Sequence, residues 1–154
     1  MNKKIEKILS KEYTHFYSRY LIGTAGHLTY LARGKELAPC HISPQQVEII
    51  FNLYYLKKLT LTELAGYLER GVNTVSNQLI MMEKDGLLKR TRETPKSTLL
   101  SFELTRKGIN TFKYALKEAR TDKSIMSVLS EEERLQLISM LKKIITRAKK
   151  YRRT

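Results

Sequence analysis

One cysteine, Cys40, stands in a chain of 154 residues, so no internal disulfide framework can staple the fold. That usage fits a reducing cytoplasm, which is the expected location. Proline and glycine are scarce, at 3 and 7 residues, which argues against a linker-rich or low-complexity organisation. No apolar run approaches the ~18 residues of a membrane span. The basic start Met1-Asn-Lys-Lys-Ile-Glu-Lys has no apolar signal core behind it, so no secretory signal is expected, and the expected partners do not include a membrane. Acids are short too: 15 Asp and Glu face 29 Lys and Arg, a net charge of +14. A surface this positive attracts polyanions, nucleic acid first, then acidic membranes or acidic proteins. At 42% hydrophobic content the chain can still bury enough apolar surface to fold. Charge nominates a class of partner and leaves the mechanism open.

Apolar spacing predicts mainly helices. Residues 1–38 carry a long helical pattern through Ile5, Ile8, Leu9, Phe16 and Tyr20, and Pro39 and Pro44 interrupt it. Ser43-Pro44 reads as an N-cap followed by proline at the first helical position. Val47, Ile50, Phe51 and Tyr54 then recur at i, i+3, i+4 and i+7. Residues 60–69 form a short helix capped by Thr60 or Thr62, with Leu61, Leu64, Ala65 and Leu68 on one face. Arg70-Gly71-Val72 breaks the pattern. A second helix follows from about Val72 to Asp85, with Val75, Leu79 and Met82 inward, and Gly86 ends it. Two helices about a glycine-containing turn make a helix-turn-helix candidate.

The period then changes. Residues 87–92 and 99–104 read as two strands, joined by the polar tip Glu93-Thr-Pro-Lys-Ser-Thr98. A hairpin directly after a helix-turn-helix is the wing of a winged-helix lobe. Two more helices are expected, from Arg106 to about Arg120 and from the capping box Ser130-Glu-Glu-Glu133 onward. The last carries a wide apolar stripe through Leu135, Ile138, Leu141 and Ile145. Surplus apolar surface at both ends of the chain predicts packing against a second copy. The expected fold is mainly α with a small antiparallel β wing. It reads as one domain over 1–154, with a winged helix-turn-helix over 43–105 and a helical dimerisation region from 1–38 and 106–154.

Several short segments together resemble the MarR family of bacterial winged-helix transcription regulators, over roughly residues 13–150. They are Leu64-Ala65-x-x-Leu68, Thr74-Val75-Ser76, Met82-Glu83-Lys84-Asp85-Gly86-Leu87-Leu88-Lys89-Arg90 and Leu104-Thr105-Arg106-Lys107-Gly108. Ser43-Pro44-Gln45 and Leu129-Ser130-Glu-Glu-Glu133 resemble the family's starts of its second and final helices. Met82 stands where the family's exit motif has leucine, Lys96-Ser97 where its wing carries an Asp-Arg pair, and Arg70-Gly71 where a small apolar residue and a Ser-like cap are usual. The resemblance implies a homodimer that sets Val72–Asp85 in a DNA major groove and the 93–98 tip toward a minor groove. It also implies a repressor of a pseudo-palindromic operator, with a small-molecule effector in many members.

On this reading Asn73, Thr74, Ser76 and Asn77 face bases, because short amides and hydroxyls reach base edges. Arg70, Gly71, Lys89, Arg90, Arg92, Lys96 and Ser97 surround them, the cations as phosphate contacts that position without reading sequence. Tyr20, His27, Tyr30 and Tyr54 are candidates to line an effector pocket, although dimer packing explains an aromatic stripe equally well. Cys40 follows Pro39 outside the first helix, where the family's peroxide sensors place their cysteine, and reads as a structural thiol. The basic run Lys142-Lys143, Arg147, Lys149-Lys150 and Arg152-Arg153 reads as a solvated tail. No metal, cofactor or catalytic constellation is expected, because glycine-rich phosphate loops, nucleophile elbows and ligand clusters are all missing. The rival reading is a winged-helix protein-interaction module whose basic charge serves solubility or non-specific nucleic-acid binding.

Overall fold

A computed structural model of the chain describes residues 3–92, 99–118 and 125–152. Two compact units emerge, Met1–Glu118 and Ala119–Thr154. The first holds helices α1 (Lys3–Glu12), α2 (Thr14–Leu37), α3 (Pro44–Leu56), α4 (Leu61–Leu68), α5 (Val72–Lys84) and α6 (Arg106–Glu118). It also holds strands β1 (Lys58–Thr60), β2 (Leu88–Arg92) and β3 (Leu100–Leu104). The second unit holds a short 3-10 turn, Ile125–Val128, and helix α7 (Glu131–Tyr151).

The expected first helix is two. Tyr13 leaves the helical region (φ −128°, ψ 43°) between α1 and α2, although its amide still donates to the Leu9 carbonyl. The Tyr17 hydroxyl donates to Glu6 Oε1 at 3.3 Å. Eleven residues of straight helix would hold those two about 16 Å apart, so the contact requires the bend. Partial desolvation, together with the neighbouring Glu6 charge, holds the Tyr17 hydroxyl above its ordinary range.

Helix α3 begins as expected. The Ser43 hydroxyl accepts from the Gln46 amide while the Gln46 side chain accepts from the Ser43 amide, a full capping box with Pro44 at the first turn. Its burial is wider than the one stripe anticipated. Val47, Ile49, Ile50 and Leu53 are all buried, because α3 is wrapped by several elements of the unit, whereas Phe51 stays half exposed. Thr60, not Thr62, caps α4, again in a box with Glu63. Hydrogen bonds from the Thr60 amide and hydroxyl hold the Glu63 carboxyl below its ordinary range. In the second unit Ser130 and Glu133 form the same box at the start of α7.

The wing is larger than the two-strand hairpin expected. Its sheet has three antiparallel strands in the order β1-β3-β2, with Leu59 opposite Phe102 and Arg90 opposite the same residue on the other side. Strand β1 buries Leu59 against the core. Burial does not alternate along β3, since Ser101 is buried beside Phe102.

A joint between the end of α5 and the start of α6 locks the lobe. Gly86 takes φ +69° just past the Asp85 C-cap of α5, a conformation that favours glycine. The Thr105 hydroxyl donates to the Gly86 carbonyl at 2.6 Å, and the Lys107 ammonium donates to the Asp85 carbonyl at 2.7 Å. Gly108 completes the joint: its amide donates to Thr105 Oγ1, and an added Cβ would overlap the Leu87 carbonyl. Replacing Gly108 by alanine is therefore expected to destabilise by about 1–3 kcal/mol through overpacking against rigid backbone. Denaturant unfolding checks this. An unchanged midpoint would show that the joint can open at no cost.

Candidate nucleic-acid interface

Helices α4 and α5 form the helix-turn-helix. Leu64, Ala65, Val75, Leu79 and Met82 bury the facing sides, which leaves the opposite side of α5 free. The turn is built differently from its glycine signal. Glu69, at φ 53°, supplies the left-handed residue that ends α4, while Gly71 is extended (φ −61°, ψ 140°) and serves as the α5 N-cap. Gly71 gives the first turn of α5 no side-chain hydrogen bond, so its outward amides keep their donor capacity.

The base-facing candidates lie together. Asn73, Thr74 and Asn77 are exposed on α5 and Ser76 is half-buried. Neither asparagine side chain bonds to another described residue, whereas Gln78 Nε2 donates to Gln45 Oε1 at 3.2 Å. The cations behave unevenly. Arg70 Nη2 pairs with Glu48 Oε2 at 2.7 Å, Arg90 Nε with Glu83 Oε2 at 2.8 Å, and Lys89 Nζ with Glu103 Oε1 at 2.8 Å. Arg92, at the end of β2, is exposed and makes no ion pair with a described residue. Lys96 and Ser97 lie outside the described residues. The sequence reading missed the three glutamates because each pairs with a cation that folding, not adjacency, brings to it.

The four effector candidates lie on two helices. Tyr20, His27 and Tyr30 are exposed on α2, while Tyr54 is half-buried on α3 with its ring 4.8 Å from that of Phe112. A cleft of ≈ 350 Å³ lies elsewhere in the first unit, lined by Arg33, Glu48, Phe51, Asn52, Tyr67 and Leu68. None of the four tyrosine and histidine candidates lines it. Cys40 packs against the buried core from a 3-10 turn, Ala38–Cys40. Among the described residues no group of histidine, cysteine or acidic side chains is arranged to hold a metal ion. No described helix is long and apolar enough to cross a membrane.

Residues 42–94, which span α3 through β2, match the model of the MarR family. Over that segment, about a third of its length, the chain matches the MarR-family winged helix-turn-helix. The family is one of transcription regulators and not of enzymes. No curated protein matches the chain by sequence. Among solved structures, the organohalide-sensing RdhR transcriptional regulator in its 2,4-dichlorophenol-bound form is 28% identical, with a TM-score of 0.75 over 88% of this chain and 81% of that one. MepR of S. aureus in complex with DNA is 26% identical, with a TM-score of 0.70 over 84% and 95%. A MarR mutant of E. coli complexed with operator DNA is 18% identical (TM-score 0.73 over 81% and 91%) and bears on the fold alone.

Departures from the MarR-family pattern now have a physical reading. Met82 is fully buried, so it fills the core as leucine does at the exit of α5. Arg70, in place of a small apolar residue, is held against α3 by Glu48.

Proposed function

We propose that this chain is a MarR-family, sequence-specific double-stranded DNA-binding regulator acting as a homodimer, with α5 in the major groove. The observation that carries the reading is the exposed polar edge of α5, whose Asn73 and Asn77 side chains bond to no described residue. An uncapped helix N-terminus at the same place suits a phosphate. MepR, 26% identical to this chain, was solved with DNA. The dimer is supported by apolar faces left open on each unit: Phe16, Leu28 and Leu31 on α2, and Leu135, Ile138 and Ile145 on α7. Repression is the family's usual sign of regulation and is our reading for this chain.

Reading and positioning separate by mutation. Asn73→Ala or Asn77→Ala is expected to relax sequence preference. Arg92→Ala is expected to weaken all duplexes alike and to flatten the salt slope by about one. Anisotropy titrations of cognate and scrambled duplexes check both. If only Arg92→Ala alters preference, the roles are reversed.

The cleft beside α3 is our site for an effector, since RdhR was solved with a bound chlorophenol and this cleft offers aromatic walls beside the Arg33 cation. Glu48 both lines the cleft and holds Arg70, the residue before the α5 N-cap. A ligand that draws on Glu48 thereby acts at the DNA-facing turn. Glu48→Gln frees the Arg70 charge, so it is expected to raise duplex affinity and steepen the salt slope by about one phosphate contact. An unchanged slope would remove Glu48 from the coupling.

The interaction-module reading draws on the ion pairs at Arg70, Lys89 and Arg90, which lower the net charge free for DNA. Absence of measurable duplex binding at low salt would favour it.

A further inference from the structure

We infer that α5 selects A·T base pairs, with Asn73 and Asn77 on adenine edges and the methyl groups of Val72 and Thr74 against thymine methyls. This rests on the DNA-binding reading above and adds the base composition of the half-site.

The groove-facing chemistry of α5 is narrow. From Val72 to Met82 the helix has no charged residue. Guanine O6 and N7 are best met by a bidentate arginine or lysine, and cytosine N4 by a carboxylate. Neither is offered along this stretch. Lys84 stands at the last residue, about 18 Å along the axis from Val72, and Glu83 is paired with Arg90. Arg70, the nearest guanidinium before the helix, is held by Glu48 at 2.7 Å.

What remains suits adenine and thymine. An asparagine amide donates to adenine N7 and accepts from adenine N6 in a two-point contact. Asn73 and Asn77 are exposed and unbonded, while Gln78, which could do the same, is already occupied by Gln45. One helical turn separates the two asparagines, about 6 Å of rise, close to two base steps of about 3.4 Å. Val72 is 46% exposed at the first position of α5, where solvent exposure of an isopropyl group gains nothing for the fold. Against a thymine C5-methyl it gains apolar burial.

The full chain would be used to select duplexes from a random library at low salt. On the selected duplex, thymines are then replaced by uracil, which lacks the C5-methyl, and adenines by 7-deazaadenine, which lacks N7. The expected losses are about fourfold per buried methyl and roughly 5- to 150-fold per adenine read by two bonds. Val72→Ala should abolish the uracil effect at one thymine and Asn77→Ala the effect at one adenine. Both positions are exposed, and unchanged thermal unfolding of the variants confirms intact folding. Enrichment of G·C half-sites, or losses unaffected by these variants, would overturn the A·T inference and leave DNA binding standing. Failure to enrich any duplex would overturn both.

Discussion

Replacing Phe112 by alanine is expected to destabilise the chain by about 3–5 kcal/mol, among the larger costs for a core truncation. The ring is 1% exposed and is the one aromatic among the largest fully buried side chains described. It joins α6 to α3 through Tyr54 at 4.8 Å and Phe51 at 6.1 Å between ring centroids. Truncation would open a cavity between two helices whose backbones are held elsewhere, α3 by its capping box and α6 by the Thr105 and Gly108 joint. Partial collapse is therefore all that is available. Phe112→Leu keeps most of the apolar volume and should cost clearly less. Thermal unfolding checks the difference: a Tm lower by roughly 10 °C or more is expected for the alanine variant in a chain this size. Equal Tm values for wild type and Phe112→Ala would show that α6 does not depend on this contact.

Duplex affinity is expected to fall roughly 10³- to 10⁵-fold between about 50 and 200 mM salt, as for a protein that contacts about 6–10 phosphates. The chain's excess of +14 becomes +28 in a dimer, but its distribution matters more than its size. Residues 84–107 hold seven basic and three acidic residues, whereas the last 13 residues hold seven basic and no acidic ones. Arg70, Lys89 and Arg90 are held by glutamates, whereas Lys84 at the end of α5 and Arg92 at the end of β2 make no ion pair with a described residue. Binding to DNA can exchange a glutamate for a phosphate, and each exchange adds to the slope. A slope near zero would mean that the basic charge serves solubility and that the winged helix meets another kind of partner.

Much of the fold was legible because local signals and tertiary packing agree. Ser43-Pro44-x-Gln46 and Ser130-x-x-Glu133 announced helix starts that are present as full capping boxes. Val75, Leu79 and Met82 sat on one helical face and are buried there. Gly86 closes α5 with a positive φ, as its position after the apolar run implied.

Other features gave no local signal. Three helix ends close on His41, Lys57 and Glu69 with positive φ, where glycine or asparagine would have been visible. Strand β1 has three residues, too few for alternation to show, and Thr60 serves both it and the cap of α4. Tyr13 bends the first helical stretch without proline or glycine. The candidate interface was legible in its side-chain types along α5. The glutamates that restrain Arg70, Lys89 and Arg90 were not, because Glu48, Glu103 and Glu83 reach them only through the packing of α3 and the pairing of the sheet.

Selection of bound duplexes from a random library by the full-length chain, at low salt, tests the central claim most directly. The account predicts enrichment of one sequence with two inverted half-sites about one helical turn apart, and loss of that preference in Asn73→Ala. A bound pool indistinguishable from the input library, or no bound pool at all, would contradict it.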